Sequence, residues 1–350
     1  MRVLLIKMSS MGDVFHTFPA LTDAQHAIPG LVVDWVVEEA FAEIPAWHPV
    51  VDRVLPIKLR QWRKQPFAKQ TRAQKNAFFN KVNEQRYDLV LDAQGLLKSA
   101  WVTRQLNAPK VGLDWSSARE RLASFFYDRK INVAKDQHAI TRLRELFAKA
   151  LDYPLPNTPI EYGLNHQAWL PLEQAPNPQS QPYVVCLHGT TWQTKYWPED
   201  HWQALITQLN QQGLKVVLPW GNAEEKARSE RLAQGLNEHQ AQRALEVWCP
   251  PAPLKLDEVA RLLKHAKAVV SVDTGLSHVA AALDVPLVVL YRVTDPKLVG
   301  AQGQKVTHLC SPLAPHYIKK FKLGQEQASL QGLGVDDVLQ MLNKQGACHG

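Results

Sequence analysis

Cysteine is scarce in this chain. Cys186, Cys249, Cys310 and Cys348 stand far apart, with no CxxC pair among them. That spacing excludes a zinc ribbon and a disulfide framework, and reads as the reduced thiols of a cytosolic protein. Long apolar runs are lacking as well. Val3-Leu4-Leu5-Ile6 stops at Lys7, far short of a signal-peptide core, and no run approaches the length of a membrane span. The common nucleotide loops are missing: with no GxGxxG and no GxxxxGK[ST], neither a dinucleotide dehydrogenase nor a P-loop enzyme is supported. No HExxH and no DxD-like pair stands out, so no metal site is expected.

One sign of charge is missing from a long stretch. Residues 53–83 hold nine Lys or Arg and no Asp or Glu, with Lys58, Arg60, Arg63 and Lys64 gathered around Trp62. Such a run usually forms a solvated face, but the complete absence of acid also suits an anion site. The formal charge of +7 points the same way without naming the partner.

What is present describes two α/β domains. A chain of 350 residues, 45% hydrophobic and 21% charged, is globular and too long for one small core. Residues 2–8, 31–37, 53–57 and 89–92 read as strands. Helical segments follow at 11–26 (with Pro19 kinking the helix or starting its regular part), 39–44, 96–106, 118–127 and 138–151. The pattern repeats with strands at 183–187, 215–218, 268–272 and 286–291 and helices at 198–212, 223–235, 256–265 and 336–344. Strands alternating with helices imply parallel, doubly wound sheets. Residues 152–181, rich in proline, read as linker and irregular edge. The expected division is 1–165, 182–325 and a helical tail at 326–350.

Three loops that follow strands can carry chemistry, because open α/β sheets bind ligands at the carboxyl ends of their strands. In Ser9-Ser10-Met11-Gly12-Asp13, Gly12 lets backbone approach a ligand and Asp13 can take a proton, or else Asp13 only caps the next helix. In the loop from His188 to Lys195, Gly189, Thr190 and Thr191 can hydrogen-bond a pyrophosphate while Lys195 neutralises its charge; an ordinary polar loop is the plain alternative. Asp273-Thr274-Gly275 ends a buried strand and opens a helix, whose first amides have no internal partners and suit a phosphate. Glu225, near a helix start, can accept from ribose hydroxyls. Asp92 is a rival base or a turn former, and His278 a ligand contact or a packed side chain.

Together, Lys7-Met8-Ser9-Ser10-Met11-Gly12-Asp13-Val14, His188-Gly189-Thr190-Thr191 with Lys195-Tyr196-Trp197-Pro198, and Ser271-Val272-Asp273-Thr274-Gly275-Leu276-Ser277-His278 resemble the ADP-heptose:lipopolysaccharide heptosyltransferases. Asp92-Ala93-Gln94-Gly95, the basic cluster at 60–64 and Phe126-Tyr127-Asp128-Arg129-Lys130 add to the likeness, which favours the enzyme of the first heptose transfer. The resemblance implies a GT-B arrangement, two Rossmann-like domains facing a cleft, with acceptor on the first and donor on the second. It implies inverting transfer of heptose from ADP-heptose to a Kdo sugar of lipid A. By matching position, Asp13 is the base. Thr190, Thr191, Lys195, Glu225, Leu254 (beside the adenine), Asp273, Thr274, Gly275 and His278 bind the donor. Ser10, Gly12, Arg60, Arg63, Lys64 and Arg119 serve the acceptor. Arg292 and Val293 depart from the family, which carries Gly-Pro before Thr-Asp-Pro.

No cofactor is implied, since ADP-heptose is a substrate, and a divalent cation is not required. The expected enzyme is a monomer that touches the cytoplasmic face of the inner membrane and takes no nucleic acid. Two other readings stand beside it. One is a later heptosyltransferase acting on an already heptosylated core. The other is a non-catalytic module that uses the basic run to bind anionic glycolipid or nucleic acid.

Overall fold

The run Val3-Leu4-Leu5-Ile6 is buried on all sides, as a strand inside a parallel sheet with helices on both faces must be. It belongs to the first of two units, Met1–Asn165 and His166–Gly350, in a computed structural model that describes residues 1–166, 168–234, 246–313 and 317–347. Cys348, and the end of the expected 223–235 helix at Gly235, lie outside the described residues.

In the first unit β1 (Arg2–Ile6) leads to α1 (Met11–Phe15), α2 (Phe18–Ala27), β2 (Val32–Glu38) and β3 (Val51–Ile57). Then come α3 (Leu59–Lys64), α4 (Lys69–Asn83), β4 (Leu89–Asp92), α5 (Leu97–Arg104), β5 (Lys110–Leu113), β6 (Arg129–Ile131) and α6 (Ala139–Leu151). The strands are parallel in the order β3-β2-β1-β4-β5-β6. Leu4, Ile6, Val36, Leu55 and Val90 meet Trp62 of α3 and Val102 of α5 in one core. Arg144 of α6 ties to α2 through a two-pronged bond to Asp23 at 2.6 and 3.1 Å.

The single helix expected over 11–26 is two. Pro19 sits in the first turn of α2, where its missing N–H costs nothing. The 118–127 segment is a tight 3-10 turn, Arg121–Phe126, and the 39–44 segment resolves into the turns Glu39–Phe41 and Ile44–Trp47. β5 and β6 were not anticipated. They are short and lie toward one side of the sheet, and Lys110 in β5 and Arg129 and Lys130 in β6 leave no apolar run to read.

The second unit repeats the plan. β7 (Tyr183–Leu187), α7 (Glu199–Gln211), β8 (Lys215–Val217), α8 (Ala223–Gln234) and β9 (Val247–Trp248) precede α9 (Leu256–Lys264) and β10 (Ala268–Val272). α10 (Gly275–Ala282), β11 (Leu287–Tyr291), α11 (Pro296–Val299), β12 (Val306–Cys310), α12 (Gln325–Ala328) and α13 (Val335–Lys344) complete it. Its order, β12-β11-β10-β7-β8-β9, is the first sheet's pattern over again. Each sheet therefore reverses its winding beside its first strand, between β1 and β4 and between β7 and β10.

The 326–347 stretch is not a free tail. Leu333, Val338, Leu342 and Ala347 share a core with Trp197, Trp202, Leu205 and Leu209, and Trp197 Nε1 donates to Leu333 O at 2.7 Å. Among the described residues, 153–182 hold neither helix nor strand.

Among the buried histidines, one in each unit is held in a defined neutral tautomer. His48 Nδ1 accepts from Val50 N–H, so Nε2 carries the proton and donates to Thr22 Oγ1, whose hydroxyl goes to Phe18 O. Ser229 Oγ likewise donates to Leu218 O and so accepts from His188 Nε2 at 2.9 Å. Burial pulls both imidazoles down from 6.5 to about 4. The unfolded chain therefore binds the extra protons between those values, so stability is full above the window and falls as pH drops through it. We expect melting temperature to drop steeply from pH 6.5 to 4.5. His188→Gln should flatten that slope, each histidine accounting for about 3 kcal/mol at most; an unchanged slope would remove the assignment.

Candidate active site

The loop after β1 brings the first turn of α1, and with it Asp13, to the carboxyl edge of the first sheet. Ser10, not Asp13, is the helix cap. Asp13 stands three residues on and reaches back, its Oδ2 accepting from Ser10 N–H at 2.8 Å and from Ser10 Oγ at 3.1 Å. This is the return half of a capping box, so the carboxylate is held in place by backbone rather than consumed by it. Its other oxygen lies 3.8 Å from Lys7 Nζ, and the side chain stays 41% exposed, open to a proton donor. Gly12 is half-buried beside it.

A shell absent from the sequence-based site holds this loop. Gln94, in the turn after β4, accepts from Met8 N–H and Ser9 N–H at 2.7 and 3.2 Å and donates back to Ser9 O. Lys98 donates to Ser9 Oγ at 2.8 Å. Lys7 is buried and donates to Ala93 O at 3.1 Å; burial lowers its pKa against the pull of Asp13 and Asp92. Asp92 takes the turn-forming role. Its Oδ1 accepts from Gln94 N–H and Gly95 N–H, and its Oδ2 from the Tyr127 hydroxyl at 2.7 Å. Burial still raises its pKa. Tyr127 lies so close over Gly112 that a Cβ there would fall 2.5 Å from its ring. The sequence signal for this shell was the pair of short motifs around Gln94 and Tyr127, which here turn out to be neighbours.

The basic run divides. Arg53 pairs with Asp34 at 3.6 Å and Lys58 with Glu39 at 2.9 Å, acids that lie outside the run. Arg60 N–H donates to Glu38 Oε1 and its guanidinium lies over Phe41. Trp62 is core, whereas Arg63 lines a pocket of about 320 Å3 with Leu59, Pro66, Lys75, Leu97, Lys98 and Trp101. Lys64 and Arg119 are exposed, the latter beside the Gly95 turn.

Near Arg119 the surface turns apolar. Phe125, Leu122, Trp115 and Leu97 are exposed, with the Trp115 and Phe125 rings 5.5 Å apart and Lys130 Nζ 6.0 Å from the Phe125 ring. The carboxylates of this segment are engaged by backbone: Asp114 accepts from Ser117 N–H, Glu120 from Leu97 N–H and Asp128 from Lys110 N–H.

In the second unit, residues from two loops meet where the sheet reverses. Lys195 Nζ lies 2.6 Å from Asp273 Oδ2, and Thr190 Oγ1 donates to Asp273 O at 2.9 Å. Thr294 Oγ1 bonds the same Asp273 oxygen. Thr274 caps α10, so the amides of Gly275 and Leu276 open toward this cluster. Glu225 accepts from Gly221 N–H at 2.8 Å, and the Gly189 backbone presses against its carboxylate. Arg228 stacks 3.9 Å from the Tyr196 ring centroid and pairs with Glu199. Thr191 is exposed, Leu254 half-buried ahead of α9, and His278 buried in α10. The arrangement presents one ammonium, hydroxyls and helix amides to an anion, with a carboxylate one loop away.

This geometry can now be set beside known proteins. Residues 76–327 match the model of glycosyltransferase family 9 (heptosyltransferase). The chain belongs to that family. It is 51% identical over 314 residues to lipopolysaccharide heptosyltransferase 1 of Salmonella typhimurium, covering 89% of this chain and 95% of the relative. It is also similar to the E. coli heptosyltransferase WaaC solved with ADP, at a TM-score of 0.85 and 45% identity, covering 99% of this chain and 100% of the other. With ADP-2-deoxy-2-fluoro heptose bound, WaaC gives a TM-score of 0.84 and 44% identity over 98% and 99% of the two chains. The family member described here is thus a glycosyltransferase, and its two α/β units are those of the GT-B fold.

A substitution at Gly189 tests whether Glu225 serves binding rather than folding. A Cβ there would lie 2.8 Å from the Glu225 carboxylate, a flexible group that can swing away. Gly189→Ala should raise KM for the nucleotide sugar roughly tenfold, the loss of one charged hydrogen bond, and leave the melting temperature within about 2 °C. Steady-state kinetics with thermal denaturation checks this; unchanged donor kinetics would detach Glu225 from the site.

Proposed function

We propose that this enzyme transfers heptose from ADP-heptose to a Kdo sugar of Kdo-lipid A, with inversion at the anomeric carbon. The observation that carries the donor half is the meeting of Lys195, Thr190 and Asp273 beneath the first amides of α10. The identity to heptosyltransferase 1 over most of the chain supports the first transfer over a later one, and the solved WaaC complexes support ADP-heptose as donor.

In this reading Asp13 takes the proton of the acceptor hydroxyl, whose oxygen attacks the anomeric carbon in line. The bond from that carbon to the phosphate oxygen breaks, and ADP leaves from the opposite face. Positive charge grows on the sugar ring and negative charge on the leaving diphosphate. Lys195 and the α10 amides act most strongly at that moment because their dipoles are already oriented. Glu225 takes the ribose hydroxyls, Leu254 flanks the adenine, and Thr191, Thr274, Gly275 and His278 complete the donor contacts. Arg60, Arg63, Lys64 and Arg119, with Ser10 and Gly12, hold an acceptor bearing carboxylates and phosphates. No cofactor takes part, and the scheme calls for no metal step. The reading requires the two units to bring their groups to one anomeric carbon during turnover.

Asp13→Asn tests the chemistry. The amide oxygen still accepts from Ser10 N–H, so the loop keeps its cap, but the side chain cannot take a proton. We expect kcat to fall roughly a thousandfold, within the range of lost general-base catalysis, with KM for ADP-heptose unchanged. Full activity in this variant would overturn the role of Asp13.

The acceptor is a lipid, and the enzyme is read as a peripheral protein of the cytoplasmic membrane face. The exposed Trp115, Leu122 and Phe125, fringed by Arg119, Arg121 and Lys130, support that placement: apolar rings enter the interface while cations meet anionic headgroups. Among the described residues no helix is long and apolar enough to cross a membrane. Leu122→Ser with Phe125→Ser should lower co-sedimentation with phosphatidylglycerol vesicles several-fold. Equal sedimentation of variant and parent would move the contact elsewhere.

A further inference from the structure

The donor cluster as it stands is close to electrically neutral. Lys195 is the cation assigned to the diphosphate, yet its ammonium is already 2.6 Å from Asp273. An entering diphosphate, carrying more than one negative charge, therefore meets a compensated pair rather than a free positive group. A second, uncompensated cation shares an aromatic ring with Lys195. Lys319 Nζ lies 5.8 Å from the centroid of the Trp192 ring, and Lys195 Nζ lies 5.0 Å from the same centroid. Lys319 is exposed and has no acidic partner among the described residues.

The backbone just before it is fixed. Ile318 O accepts from Thr194 Oγ1 at 2.8 Å, joining this segment to the residue before Lys195. Tyr317 N–H bonds Val293 O. Arg292, the residue that departs from the family pattern, is buried at the centre of the assembly. Its guanidinium donates to Tyr196 O, to Ser329 Oγ at 2.7 and 3.1 Å and to Glu326 O at 3.2 Å, and lies 5.0 Å from the Phe321 ring. One side chain thus fastens the Lys195 loop to the part of the segment that follows Lys319, while the backbone bonds of Tyr317 and Ile318 hold the part before it. Four hydrogen bonds and a ring contact are what a buried guanidinium needs, and Gly at this position would supply none of them.

We infer that Lys319 is a second cation of the donor diphosphate site, and that Arg292 is the positioning residue that holds it there. This rests on the donor reading of the second unit. Lys319 closes over the diphosphate from the face of Trp192 and carries the net positive charge that the Lys195–Asp273 pair lacks. Arg292 touches no substrate.

The test uses the full chain and ADP alone, titrated by calorimetry, with no acceptor present. Lys319→Ala should weaken ADP roughly tenfold, the loss of one charge-assisted contact, while Lys319→Arg stays within about threefold of the parent. In turnover, Lys319→Ala should raise KM for ADP-heptose and leave KM for the acceptor unchanged. Arg292→Gly should weaken ADP to a similar degree, and Arg292→Gly combined with Lys319→Ala should bind no worse than Lys319→Ala. Phe321→Ala, a milder loosening of the same segment, should fall between parent and Lys319→Ala. ADP binding by Lys319→Ala equal to the parent's would overturn the assignment of Lys319. Additive losses in the double variant would overturn the role of Arg292. A parent chain that binds no ADP would instead sink the donor reading on which both depend.

Discussion

Where neighbouring parallel strands send their connections to opposite faces of a sheet, the carboxyl edge is left with a gap that backbone cannot fill. This chain makes that gap twice, between β1 and β4 and between β7 and β10. Asp13 and the Lys195–Thr190–Asp273 cluster lie on the connections that border the two gaps, and the other assigned residues lie on the remaining connections of the same two sheets. The constraint is topological before it is chemical. Because strand order fixes which loops are neighbours, Ser9 comes to lie against Gln94, and Thr190 against Asp273, across 85 and 83 residues of sequence.

The two gaps are furnished differently, and the difference matches their proposed work. A proton acceptor must be held still while keeping an oxygen open. Asp13 meets this with one oxygen bound to Ser10 and the other reaching toward Lys7, on a loop stapled by Gln94. A leaving-group site needs preorganised positive potential. The second gap has helix amides, hydroxyls and an ammonium already tethered by Asp273 and braced by Thr294. Tethering lowers the reorganisation needed at the transition state but offsets charge, which is why the neighbouring lysine on the 317–330 segment matters.

Much of this was legible in the sequence. The central strands were readable because buried parallel strands must be apolar throughout, and the three motif loops because each follows such a strand. The short outer strands β5, β6, β9 and β12 were not, since polar residues such as Lys110, Arg129 and His308 interrupt their apolar runs. Asp92 could not be separated from Asp13 by spacing alone. Both end up at the carboxyl edge of the sheet, Asp92 closing β4 and Asp13 in the first turn of α1, and only Asp92 is buried and bonded to Tyr127. Gln94 and Lys98 escaped because their partners are backbone and hydroxyl groups far away in sequence. Arg292 was visible as a departure from the family pattern, yet its consequence lay in residues 317–330, whose connection to it no local pattern encodes.

The central claim is that a carboxylate from the first unit and the cationic, amide-lined gap of the second serve a single group transfer. It is tested most directly by incubating the full chain with ADP-heptose and Kdo-lipid A and weighing the glycolipid by mass spectrometry. The account predicts a product heavier by one heptosyl unit, with one ADP released for each heptose gained. An unaltered acceptor, in the presence of a chain that is folded and binds ADP, would contradict it.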